Sequence, residues 1–143
     1  MDQPRNLAKS VTAERGFMEI FGIGTDIIEV ERIKSAIKNN SGFLNRVYTE
    51  NEIDYCRKKN KGKYSSFAAR FAAKEAVAKS LAEGVSKNIS LNEIELKNMD
   101  TGAPFIKLYG KTYNFSKQLR IKEIKISVSA TENFAVAYAV AII

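Results

Sequence analysis

Residues 65–82 constrain the rest of the chain more than any other stretch. From Ser65 or Ser66 to about Ala82 the sequence is dominated by Ala, Phe, Val, Leu, Lys and Glu, with no Pro or Gly. Propensity and length both predict a helix. On a wheel of about 100° per residue, Phe67, Phe71, Val77, Ala78 and Leu81 share one broad arc. Ala69, Ala72, Ala73 and Ala76 take the opposite side. No side is a solvated polar face, so the helix is expected to be surrounded by protein. Its four charges are therefore unusual. Arg70 and Lys74 fall within the apolar arc, and Glu75 and Lys79 stand together on its flank. Charges are rarely buried without partners. Two readings of Glu75 and Lys79 are open: a surface pair at i,i+4, or a carboxylate and an ammonium facing a polar ligand in a cleft.

Composition narrows the chemistry. There is no histidine in the 143 residues, which excludes Ser-His-Asp triads, Cys-His pairs and His-based zinc or iron sites. A bound metal would need oxygen ligands, which points to Mg²⁺, Mn²⁺ or Ca²⁺. The lone cysteine, Cys56, forms no intrachain disulfide and fits a reducing cytoplasm. A net charge of +7 suggests an acidic partner: nucleic acid, a phosphorylated ligand or an acidic protein. Nucleic acid is disfavoured, because the basic run at 57–63 has no interleaved aromatics beyond Tyr55 and Tyr64, and no binding motif appears. No apolar run reaches the roughly 18–20 residues that span a bilayer, so no membrane role is expected.

One domain over residues 18–143 is expected, preceded by an extension at 1–17 without a signal-type apolar core. Glu19–Ile28 predicts a strand, in which Gly22 and Gly24 mark a bulge or a close backbone approach. Asp26 near its end is read as a turn or capping residue or as a ligand. Val30–Asn39 predicts a helix, Phe43–Val47 a short apolar-basic piece. Thr49 and Glu52 form a capping-box pattern opening a helix to about Lys59. Strand patterns follow at Ile89–Leu91, Ile94–Leu96 and Phe105–Tyr109, then a weaker helix at Tyr113–Leu119. Ile124–Ala130 predicts a strand with one wet or ligand-facing side, and Phe134–Ile143 a buried one. The sum is α+β, an antiparallel sheet packed against a long central helix. P-loop and Rossmann patterns are absent.

Two separated elements then read together: Gly22-Ile23-Gly24-Thr25-Asp26 on the first strand and Phe71-Ala72-Ala73-Lys74-Glu75-Ala76-Val77-Ala78-Lys79 on the long helix. The pair resembles the signature of the 4'-phosphopantetheinyl transferase superfamily, and in particular its small bacterial members that load acyl carrier proteins. Phe43-x-x-Arg46-x-x-Thr49-x-x-Glu52, Gly102-Ala103-Pro104 and the Ser127–Ser129 strand extend the likeness over Met18 to Ile143. The resemblance implies the 4'-phosphopantetheinyl transferase fold and an enzyme that moves 4'-phosphopantetheine from coenzyme A to a serine of apo-acyl carrier protein. Adenosine 3',5'-bisphosphate is the by-product, and fatty acid biosynthesis the process served. It also implies Mg²⁺ on Asp26 and Glu75, with Asp26, Glu75 and Lys79 catalytic. Coenzyme A is expected to meet Lys79, Lys61, Lys63 and Ser129, and the carrier to dock on Arg32 and Phe43. Lys74, with Arg70 one turn before it, is expected to help place a ligand or an interface. A cytoplasmic homotrimer with its site between subunits completes the expectation. One departure is plain: where many relatives carry a histidine after Ser-x-Ser/Thr, this chain has Ala130.

Overall fold

A computed structural model describes residues 19–82 and 84–143; the expected extension at 1–17 and the boundary at Met18 lie outside the described residues. Strand β1 (Ile20–Glu29) leads into helices α1 (Val30–Asn39), α2 (Phe43–Val47), α3 (Glu50–Arg57) and the long α4 (Lys63–Ser80). A 3₁₀ turn (Leu91–Glu93) precedes the hairpin β2 (Ile94–Asn98) and β3 (Pro104–Leu108). Helix α5 (Gly110–Gln118) and the hairpin β4 (Glu123–Ala130) and β5 (Phe134–Ile142) complete the chain. The strands form an antiparallel three-stranded sheet, ordered β1-β5-β4, and a separate pair, β2-β3. No helix of the described residues is long and apolar enough to cross a membrane.

Helix α4 is the hub of the packing and lies against β1, β5, β4 and β2. Small residues on both sides make this possible. Ala135, Ala137, Ala139 and Ala141 of β5 are buried, as are Ala68, Ala72, Ala73 and Ala76 of the helix. On β1 the approach is closer still. A Cβ on Gly22 would collide with the carbonyl oxygen of Ser80, and one on Gly24 with that of Ala76. The register also shifts between Ile20 and Gly22. Both outcomes expected of strand glycines, a bulge and a close backbone approach, therefore occur here.

Three features differ from expectation in ways that bear on the packing. Helix α4 starts at Lys63, because Gly62 takes a left-handed conformation at its N-terminus (φ +78°) and turns the basic run directly into the helix. Ile89–Leu91 is not a strand: Ile89 makes one isolated bridge with Ser86, and a 3₁₀ turn follows. The carbonyls of Leu91 and Ile94 turn toward Lys74 instead of a ladder partner. Strand β5 is covered on one face only. Its alanines meet the helix, while Phe134 and Tyr138 on the other face stay exposed.

Lys74 has its partners within the chain. Its side chain is fully buried and lies 2.6 Å from Glu52 Oε1. Its ammonium also donates to the carbonyl oxygens of Leu91 and Ile94, so all three of its N–H groups are occupied. Glu52 in turn accepts from the backbone N–H groups of Thr49 and Leu96. Lys74 is thus a strut between α4, α3 and the start of β2. Burial pushes its pKa down against the pull of Glu52. Arg70 is similarly enclosed: its guanidinium lies 4.1 Å from the centre of the Tyr55 ring and donates to Ser66 Oγ.

Candidate active site

Alternation along β1 puts Gly22, Gly24 and Asp26 on the face that meets α4, in register with Ala141, Ala139 and Ala137 of β5. The two glycines bring the strand flush with the helix near Ala76 and Ser80. The next residue on that face, Asp26, then meets the flank of α4 that carries Glu75 and Lys79. Lys79 Nζ donates to the Thr25 carbonyl oxygen at 2.9 Å and to Asp26 Oδ1 at 3.3 Å. The ion pair of Lys79 is therefore made across to β1 rather than along the helix. The bond to the Thr25 carbonyl carries no residue-type signal, so no sequence pattern announces it.

Glu75 is half-buried. Burial pushes its carboxyl pKa up, the charge of Asp26 pushes it further, and Lys79 pulls it back. The effect of Asp26 on Glu75 means that two carboxylates some fifty residues apart in sequence share one local field. A carboxyl whose folded pKa lies above its unfolded value adds stability below the ordinary range near pH ~4, and that stability is lost as pH rises through the folded value. Glu75→Gln is therefore expected to melt at a higher temperature than the parent at neutral pH. That advantage should disappear in acid, as thermal scans across the two conditions will read.

The other expected site residues are spread over the molecule. Lys61 lies in the exposed loop before α4, and Lys63 opens the helix with its ammonium 5.1 Å from the centre of the Tyr64 ring. At about 1.5 Å per residue, Lys63 stands about 18 Å from Glu75 along the axis. Ser129 pairs with Val136 on β4; it projects from the sheet face opposite Asp26, with β5 between them. Within one chain it does not join Asp26 and Glu75. Arg32 is exposed on α1. Phe43 stacks on Phe71 at 6.3 Å and meets the Tyr48 ring edge-on at 6.2 Å, so its half-buried ring is anchored against the core beside α4.

Among the described residues no group of three or more Cys, Asp or Glu side chains is placed to hold a metal alone. Asp26 and Glu75 nevertheless fit a hard divalent cation that takes its remaining oxygens from a ligand and water. Both are oxygen donors, and neither is sealed in the core. An ammonium beside them suits a phosphate.

This fold and this pair of elements define a class: the chain belongs to the 4'-phosphopantetheinyl transferase superfamily, whose sequence pattern matches residues 22–139. Its relatives are more particular. A holo-[acyl-carrier-protein] synthase of Ruminiclostridium cellulolyticum is 49% identical over 119 residues, 82% of this chain and 89% of that one. The crystal structure of a holo-ACP-synthase from Plasmodium yoelii superposes with a TM-score of 0.78 at 34% identity, covering 88% of this chain and 97% of that one. A holo-(acyl-carrier-protein) synthase from Bacillus anthracis in complex with coenzyme A (3',5'-ADP) gives a TM-score of 0.72 at 34% identity over 88% of this chain and 98% of that one.

Proposed function

We propose that this protein is a holo-[acyl-carrier-protein] synthase: it transfers 4'-phosphopantetheine from coenzyme A to a serine of apo-acyl carrier protein. The observation that carries the reading is the convergence of Asp26, Glu75 and Lys79. In the reaction the serine oxygen bonds to the β-phosphorus of coenzyme A. The bond from that phosphorus to the oxygen bridging to the α-phosphate breaks, and adenosine 3',5'-bisphosphate leaves with the electron pair. Such a step needs positioning and charge neutralisation more than covalent help.

Asp26 and Glu75 would hold Mg²⁺, which supplies positive charge to the diphosphate oxygens. Lys79 offers an ammonium to the same phosphates. The absence of histidine from the sequence rules out an imidazole base. The serine proton passes to a carboxylate of this site or to water.

The surface supports an acidic helical partner. Arg32, Lys34 and Lys38 lie on α1, which starts where β1 ends, a few residues beyond Asp26. The anchored ring of Phe43 follows in α2. Arg32→Glu is expected to raise KM for the carrier about tenfold with little change in kcat, and the penalty should shrink at high salt. Assays at two ionic strengths measure both effects.

The outward face of the β1-β5-β4 sheet carries Ile23 and Ile27, with Tyr138 exposed beside them. An apolar patch on a sheet favours burial against further copies. A homotrimer would cover it and bring one subunit's Ser129 toward another's Asp26 and Glu75; light scattering gives its mass. Cys56 is buried and free, in keeping with a cytoplasmic enzyme of fatty acid biosynthesis. The decisive assay is mass spectrometry of apo-acyl carrier protein incubated with the protein, coenzyme A and Mg²⁺. A gain of one phosphopantetheine arm is expected, and unchanged carrier mass contradicts the reading.

A further inference from the structure

Glu75 and Lys79 lie one turn apart on α4, a spacing that ordinarily pairs such residues with each other. Lys79 instead bridges to β1, with its Nζ 3.3 Å from Asp26 Oδ1 and 2.9 Å from the Thr25 carbonyl oxygen. It is the cation bonded to Asp26 among the described residues. It also offsets part of the repulsion between Asp26 and Glu75. A divalent ion shared by these carboxylates competes for the same Asp26 oxygen, and two cations crowded onto one oxygen repel. Lys79 is free to leave: its side chain is 49% exposed, against 17% for Asp26, and its ammonium rides on a flexible four-carbon stem. A diphosphate gives that ammonium another anion to bond.

We infer, on the basis of the metal site proposed above, that Lys79 is an internal counter-ion that keeps Asp26 and Glu75 poorly receptive to divalent metal until a diphosphate ligand draws its ammonium away. Metal and coenzyme A then reinforce each other's binding, because what loosens Lys79 from Asp26 favours the metal, and coupling of this kind is reciprocal. Lys79 thus acts twice, first on a carboxylate of the free protein and then on a phosphate of the ligand.

The test is Mn²⁺ binding to the full chain without coenzyme A, followed by the electron paramagnetic resonance of free Mn²⁺. Lys79→Gln is expected to bind Mn²⁺ about tenfold or more tightly than the parent. Lys79→Arg keeps a cation and should remain weak. Equal affinity of the parent and Lys79→Gln, with unchanged melting temperatures, overturns the inference. So does a gain shown equally by Lys79→Arg, since charge would then not be the cause. Failure of the underlying metal site has a different signature: Asp26→Asn would bind Mn²⁺ as well as the parent when coenzyme A is present.

Discussion

Asp26→Ala and Glu75→Ala are each expected to lower the rate of phosphopantetheine transfer by about a thousandfold, the scale of removing a group that stabilises developing charge. Single-turnover mass spectrometry of the carrier reads the loss. Each substitution removes one of two carboxylates that share a field at the junction of β1 and α4, and one oxygen-donor residue is a poor anchor for Mg²⁺. Neither side chain is part of the hydrophobic core, so both variants are expected to stay folded. Added Mg²⁺ should not restore full rate. Either variant turning over like the parent at ordinary Mg²⁺ would show that the carboxylate pair is not the site.

The second large effect is on stability. Lys74→Met is expected to destabilise the fold by about 3–5 kcal/mol, the range for breaking a buried ion pair from one side. The methionine fills space but leaves Glu52, 1% exposed, without the ammonium 2.6 Å away. The carbonyls of Leu91 and Ile94 lose their donor at the same time. Urea denaturation measures the loss. Transfer activity per folded molecule should be nearly preserved, because Lys74 touches α3 and β2 rather than the Asp26 side of the helix. A stable but inactive variant would return Lys74 to the ligand-placing role that its position in the motif suggests.

Lys74 also shows where sequence reasoning stops. Its place on an apolar arc says that it needs a partner, but the partner is 22 positions earlier on another helix, as Glu52. Glu52 is legible as a capping-box residue, and it does cap α3. The same carboxylate also ties Lys74 and the Leu96 N–H, and local spacing does not report such long-range use. Asp26, Glu75 and Lys79 were joined by the likeness to the family signature rather than by pattern. The helical period puts Glu75 and Lys79 on one flank, but Asp26 near a strand end reads alone as a turn or capping residue as well as a ligand. What the pattern left open was the choice of partner for Lys79, since a lysine four residues after a glutamate pairs with it as readily as with a distant aspartate.

Strand β5 shows a different limit. Both alternating sets in Phe134–Ile142 are apolar, so a period of two does not reveal which face is covered. The register settles it by setting Ala137 opposite Asp26 and Tyr138 opposite Thr25. The false strand at Ile89–Leu91 has a related origin: Ile89 is buried as an isolated anchor, and the alternation around it belongs to a turn that feeds carbonyls to Lys74.

A crystal of the protein grown with coenzyme A and Mn²⁺, with anomalous scattering recorded at the manganese edge, tests the central claim most directly. One anomalous peak should lie between the Asp26 and Glu75 carboxylates and within bonding distance of the diphosphate, about 2.0–2.3 Å from each coordinating oxygen. Manganese bound elsewhere, or coenzyme A seated away from the junction of β1 and α4, would contradict it.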